Sequence, residues 1–371
     1  MSQYQPRLEK LFDWMARESV TLAVFEDAEG RRDRTIRYLT GQPGDALLFL
    51  SLDRKAVLVP WDINMAKAYA CADMLIPYSE FERLPRKAIG AVAKMLGIPA
   101  GSKIEIPPVT PYPLFLNYVG ELTDFDILCR ERGLAAEVKK IRAVKDDEEI
   151  KIYRKAADIT NALIGLLEKN TRSGKIKTEA DAALLIEIEA RRSGCEGTGF
   201  ETLAAGPERS FGIHAHPAWT DSPFAGPGLS ILDFGVRLAG YTTDVTLTFV
   251  REANPRQEKL AGLVEKAAKL SLSMADNGAP ARGIASAVEG LFAKAKKRMP
   301  HALGHGIGLE EHEYPAVSNR PDNGWILEPG MIFTLEPGLY DPLYGGCRLE
   351  NDILMTETGP EVLTEARIIW L

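Results

Sequence analysis

The chain has 371 residues, 45% of them hydrophobic and 26% charged, and a mean hydropathy close to zero, which excludes disordered, collagen-like and fibrous classes. At roughly 150 residues per domain, two or three domains are expected. Its 45 Lys and Arg against 52 Asp and Glu leave a net charge of −7, and this argues against a nucleic-acid partner, whose phosphates are held by clustered cations.

The four cysteines, Cys71, Cys129, Cys195 and Cys347, form no CxxC pair, so neither a disulfide framework nor a thiolate metal site is expected, and buried reduced thiols are. The opening residues carry early charge and no apolar signal core, and no stretch approaches ~20 uninterrupted apolar residues. A soluble cytoplasmic protein with no membrane partner is the expectation. The five histidines are unevenly placed, all between His214 and His312, and this clustering is the first pointer to a site.

Leu8, Leu11, Phe12 and Met15 recur at helical spacing, and 21–25, 46–50 and 56–59 read as short buried strands. Turns are expected at Gly41–Gly44 and over Pro107–Pro113. These elements make a compact α/β domain over residues 1–134 without ligand-like spacing. A second domain, 135–371, follows a charged junction. Asp146 with Glu149 gives a capping-box start to a helix whose apolar stripe ends near Gly174. Thr178 caps a helix that stops at Gly194, Asn254–Pro255 opens a third, and a fourth spans about 281–298. Strand-rich stretches, 228–250 and 325–369, lie between and after them, so the domain reads as two similar α+β halves.

In the motif LSILDFG…GYTTDVTLTF, Thr, Val, Leu and Phe suit strands and Gly240 suits a hairpin loop. A loop of Leu238–Ala239, or of Arg237–Gly240, sets Asp233 opposite Asp244, with Cβ atoms ~4.5–5.5 Å apart. Two carboxylates that close need a cation, a shared proton or another register. In HALGHGIGLEEHE, His301 and His305 have i, i+4 spacing, but Gly304, Gly306 and Gly308 disfavour a helix. A zincin needs Glu where Ala302 stands, and a dinucleotide loop needs its third Gly elsewhere. The glycines instead let backbone pass close to a crowded site that presents a ligand histidine. Glu336 in FTLEPG and Glu350 in CRLEND lie on further strand-like segments. Four carboxylates balance two divalent cations, and oxygen donors with one imidazole favour Mn, Co or Zn.

The order Asp233, Asp244, His305, Glu336, Glu350, in the contexts GYTTDVT, GHGIGLEEHE, TLEPGLY and RLEND, resembles the M24 pita-bread metallopeptidases. Tyr38–Gly41 and Leu47–Leu50 are similar to the N-terminal domain of creatinase, prolidase and aminopeptidase P, which points to the proline-directed branch. The resemblance implies an N-terminal creatinase-like α/β domain before a C-terminal pita-bread domain with pseudo-symmetric halves. It implies a dinuclear exopeptidase that cuts the N-terminal Xaa-Pro bond of dipeptides or longer peptides with a hydroxide between two ions, manganese before cobalt or zinc.

By the same resemblance Asp233 chelates one ion, Asp244 and Glu350 bridge both, and His305 with Glu336 complete the other. Glu336 shuttles the proton, His216 and His312 act on substrate and intermediate, and His301 lines the proline pocket. His214 stands beside the site, packed or solvent-facing. The chain departs from the family at Pro217, where an aromatic residue is common, at Leu247, where an Arg is common, and at Ala316, where some prolidases carry an Arg. Arg348 is retained beside Glu350, and Arg320 or Arg348 is left to meet a substrate carboxylate. A homodimer is implied. The alternatives are a metal-dependent hydrolase of another small amide or C–N bond, and a binding protein that has lost catalysis.

Overall fold

A computed structural model describes residues 3–371. Contacts divide the chain into two compact units, Met1–Ile141 and Arg142–Leu371. The boundary expected between residues 134 and 135 falls at the start of a continuous helix, Leu134–Ala143, and the division comes near that helix's end.

The first unit is built on a six-stranded mixed sheet, in the order Met74–Leu75, Ala56–Pro60, Ala46–Ser51, Leu22–Asp27, Lys103–Glu105, Asp126–Leu128. Its central strands are buried on both faces, as their unbroken apolar runs predict. The helix Gln5–Glu18 buries Leu8, Leu11, Phe12 and Met15. The Pro107–Pro113 stretch is not all turn: Pro111 caps a helix, Tyr112–Glu121, in which Pro113 occupies the first turn, where a missing N–H costs nothing.

The second unit repeats one plan twice, a helix pair packed on a sheet. Helices Asp147–Arg172 and Glu179–Arg192 start at complete capping boxes, Asp146 with Glu149 and Thr178 with Asp181. They cover a four-stranded sheet ordered Ile368–Trp370, Val245–Arg251, Gly228–Phe234, Leu203–Ala205. Leu163, Ile164, Leu167, Ala182 and Ile186 meet Leu232, Phe234, Val245, Leu247 and Phe249 in one core. Helices Pro255–Met274 and Ala281–Lys294 form the second pair. A second core joins their Val264, Ala267, Ile284 and Val288 to Phe333, Leu335, Ile353 and Met355. Those strands belong to a five-stranded sheet ordered Glu313–Val317, Gly304–Gly306, Ile332–Leu335, Asn351–Thr356, Gly359–Val362. The fourth helix ends at Lys294 rather than near Arg298, because Lys296 adopts a left-handed φ of 57°.

The hairpin register differs from the expected one by two residues. Leu238 pairs with Tyr241 and Asp233 with Thr246, so the loop is Ala239–Gly240. Both loop residues have positive φ, 49° and 89°, the two-residue turn whose twist matches the flanking strands. Asp233 and Asp244 are therefore diagonal neighbours on one face, where Cβ atoms are ~7–8 Å apart or somewhat less, instead of direct partners. Period-2 alternation does the rest: Leu232, Phe234, Val245 and Leu247 turn to the helices, and Asp233, Thr246 and Thr248 turn to the other face.

Cys195 and Cys347 are buried as expected, whereas Cys129 is half-buried and Cys71 exposed. Among the described residues no helix is long and apolar enough to cross a membrane.

Candidate metal centre

Two strands and three positions flanking strands bring the five expected donors together. Asp233 lies on Gly228–Phe234, Asp244 just before Val245–Arg251, His305 at the centre of Gly304–Gly306, Glu336 just after Ile332–Leu335, and Glu350 between Gly345–Arg348 and Asn351–Thr356. An isolated bridge between Thr246 and Glu350 joins the two halves at this point. Glycine is needed on both sides of His305. A Cβ on Gly304 collides with the Thr334 carbonyl oxygen, and one on Gly306 with that of Tyr314. The short strand is thus drawn between its neighbours with only the imidazole projecting.

His305 Nε2 lies 3.7 Å from Asp244 Oδ2, 3.7 Å from Glu336 Oε1 and 3.9 Å from Glu350 Oε1. Donors ~2.0–2.2 Å from one cation are themselves roughly 3–4 Å apart, so these spacings suit a shared ion. His305 Nδ1 is 3.2 Å from the Gly306 carbonyl. A carbonyl can only accept, so Nδ1 carries the proton and Nε2 presents its lone pair to the cluster.

Asp233 gives the second test of fit. Its Oδ2 accepts from Arg348 Nη2 at 2.5 Å, while its Oδ1 is buried without a hydrogen-bond partner. A buried carboxylate oxygen without a donor is costly unless a cation meets it. Four carboxylates beside one guanidinium leave a large negative excess, and the donor set fits divalent metal.

The protein pushes this cluster toward neutrality. Burial, then Glu350 and Asp233, hold the Asp244 carboxyl well above the usual range. Burial and Glu350 do the same to Glu336. Glu350 is pushed up to about 7 by burial and Asp233. His305 is lowered to about 3 by burial and His312. Metal must therefore displace protons from carboxyl groups and none from the imidazole. Apparent affinity is expected to rise with pH through about 7, because the Glu350 proton that metal displaces is already gone at higher pH. Calorimetry in buffers of different ionisation enthalpy is expected to find net proton release on metal binding at pH 7; zero release would contradict the raised carboxyl groups.

All five histidines line one cleft of about 610 Å³ together with the five donors. His216 and His312 both line it, and the His312 ring is 4.3 Å from that of His305. His301, lowered to about 4 by burial, lies 3.5 Å from Glu336 through its Nδ1. Arg348, expected against substrate, also lines the cleft, but it is buried and its guanidinium donates to Asp233, to the Ile213 carbonyl at 2.9 Å, to Tyr340 Oη at 2.8 Å and to Thr246 Oγ1 at 2.9 Å. It positions Asp233 and the His214–His216 loop.

Three supporting residues escape sequence reasoning. Tyr340 accepts from Arg348 and donates to His301 Nε2 at 3.0 Å. Thr246 donates to Glu350 Oε2 at 2.7 Å. Asp352 accepts the Asp244 N–H at 3.2 Å. The motif TLEPGLY contains Tyr340 and RLEND contains Asp352, but nothing local says which way either side chain turns.

The sequence profile of metallopeptidase family M24 matches residues 151–357. The Xaa-Pro dipeptidase of Pyrococcus horikoshii is 27% identical over 368 residues, 97% of each chain. A putative dipeptidase of Bacillus subtilis, YkvY, is 32% identical over 231 residues, and the chain spans 62% of that relative's length. Among solved structures, the Xaa-Pro dipeptidase from Bacillus anthracis superposes with a TM-score of 0.85 over all of both chains at 24% identity, a likeness of fold.

Proposed function

Since the chain belongs to metallopeptidase family M24, we propose that it is a metal-dependent exopeptidase that hydrolyses the bond between an N-terminal residue and a following proline. The observation that carries this is the cluster of Asp233, Asp244, His305, Glu336 and Glu350 at the floor of a substrate-sized cleft. Asp244 and Glu350 would be shared by two divalent ions, with Asp233 on one and His305 and Glu336 on the other. Bound there, the ions polarise the scissile carbonyl and lower the pKa of water.

The chain's own groups supply the remaining chemistry. Proline's nitrogen carries no N–H and leaves poorly unless protonated, so a group must bring a proton to it. Glu336, raised by burial and Glu350 and standing at the edge of the cluster, takes a proton from water and passes it to that nitrogen. His312 donates to the developing oxyanion, and His216, also lining the cleft, orients the peptide. His301, held by Tyr340 and the Ala302 carbonyl, walls the space beside Glu336 where the proline ring fits. Manganese as the ion and a homodimer are carried over from the resemblance, and a cytoplasmic setting from the sequence reading. The relatives named Xaa-Pro dipeptidase support the substrate class.

The test is hydrolysis by protein loaded with Mn, Co or Zn. Xaa-Pro peptides are expected to be cut and matched Xaa-Ala peptides to be poor substrates. Equal cleavage of both moves the reading to a general amide hydrolase; no cleavage at full occupancy removes it.

A further inference from the structure

A group of buried charges lies against the loop that carries His312, outside both the metal centre and the cleft lining. Gly306 pairs with Glu313 across the sheet, with a register shift between His305 and Gly306, so residues 307–312 form a loop. Its Glu311 and His312 line the cleft. Glu313, the next residue, is buried instead. Its Oε1 accepts from Arg142 Nη2, and its Oε2 lies 3.8 Å from Lys145 Nζ. The side chains of Glu313, Arg142 and Lys145 are 5%, 4% and 0% exposed.

The same atoms hold the loop. Glu313 Oε1 also accepts the Glu310 N–H at 3.1 Å, and Arg142 Nη2 also donates to Glu310 Oε2 at 3.1 Å. A Cβ on Gly308 would overlap the Glu313 carboxylate, so the third glycine of GHGIG lets the loop close down on that group. The base of the cluster is fixed in turn, because the Lys145 N–H donates to the Gly330 carbonyl at 2.8 Å and Val144 bridges to Met331. Among the described residues no hydrogen bond reaches the His312 ring, which meets only the ring of His305. Its aim is therefore set by the backbone that carries it, and that backbone runs directly into Glu313.

Stability alone is a poor reason for such a cluster. Burial opposes ionisation of Glu313, yet Arg142 and Lys145 hold its carboxyl below the usual range. Burial lowers the Lys145 pKa, and its Nζ has no hydrogen-bond partner. Desolvation offsets most of the attraction in a buried ion pair, and an apolar filling of the same volume is often as stable. What a guanidinium fork adds is fixed direction.

We propose that Glu313 is a positioning residue for His312: clamped by Arg142 and Lys145, it pins the loop at residues 310 and 313 and holds the His312 imidazole beside His305, aimed into the cleft. This rests on the proposed peptidase activity, in which His312 donates to the oxyanion, and says what aims it.

The experiment compares metal-loaded full-length protein with Glu313→Gln, Arg142→Lys, His312→Ala and the two double variants that carry His312→Ala, on one Xaa-Pro peptide. Gln keeps the length of Glu without its charge, and Lys keeps the charge of Arg without the fork. Each cluster variant is expected to lower kcat about tenfold with KM changed less than about twofold, because a donor to the oxyanion acts in the transition state. In the His312→Ala background neither should lower kcat further by more than about twofold. Metal content should stay constant. Histidine-ring NMR of Zn-loaded protein, with the His312 signal assigned by its loss in His312→Ala, should find that signal broadened or split in both cluster variants and the His216 signal unmoved. Should Glu313→Gln fail to fold, Arg142→Lys carries the test. Losses that multiply across the two backgrounds, or a His312 signal that stays single and sharp, overturn the positioning role and leave the peptidase reading intact. No cleavage by the parent at full occupancy overturns the peptidase reading, and the ring signal then decides the positioning.

Discussion

Asp244→Asn is expected to lose at least one bound metal ion per chain and to lower kcat/KM on the order of 10³-fold or more, since several kcal/mol of transition-state stabilisation depends on the ions. Asn keeps the shape of Asp and its contact with the Asp352 carboxylate, because that contact is made by the backbone N–H of residue 244. What it removes is charge at the most crowded point, facing His305, Glu350 and Asp233. Burial and Glu350 already press that carboxyl toward its neutral form when no metal is bound, so the amide replaces it nearly isosterically and the metal-free variant should melt no lower than the metal-free parent. This sign separates ligand loss from misfolding. Elemental analysis, calorimetric melting with and without chelator, and peptide hydrolysis together check it. Unchanged metal content and activity would remove Asp244 from the site, and a large fall in metal-free melting temperature would make its role structural.

The clustering of the five candidate donors was legible because each sits in an unusual local context: two Asp in an apolar hairpin, a His between glycines, two Glu at the ends of buried strands. The helix starts were legible for a similarly local reason, since a capping box is a short-range exchange of hydrogen bonds. The hairpin register was not. Gly240 is compatible with several loops, and nothing marks Ala239 in advance as the residue that adopts φ 49°. The two-residue slip keeps every side chain on its face, so the hydrophobic pattern cannot detect it. The partners of Arg348 were hidden more deeply. They come from Ile213, Asp233, Thr246 and Tyr340, four places that only the tertiary fold brings together, and an Arg beside a ligand Glu reads equally well as a substrate contact.

Those partners make Arg348→Met the most destabilising single change expected in the site. Methionine fills much of the aliphatic volume but removes all of the donors. Asp233 Oδ2, the Ile213 carbonyl and Thr246 Oγ1 are left buried with a donor lost, and Asp233 joins three other carboxylates with no compensating charge. Breaking a buried ion pair by removing one partner costs ~3–5 kcal/mol, and here the survivor is also a proposed metal ligand. The loss should depend on metal. In chelated protein the Asp233 charge can be relieved only by taking up a proton. In loaded protein the ions supply the missing positive charge, so the destabilisation of Arg348→Met is expected to be smaller with metal than without. Adding Asp233→Asn should recover part of the chelated-state loss, because an amide leaves no unpaired charge, while it lowers metal content further. A double-mutant cycle of denaturant unfolding, run in chelator and in excess metal, measures both effects. Equal losses in the two conditions, with additive substitutions, would mean that Arg348 serves packing alone. A coupled, metal-dependent loss would instead show that the guanidinium stands in for cation charge in the empty cluster, holding Asp233 in place until the ions arrive.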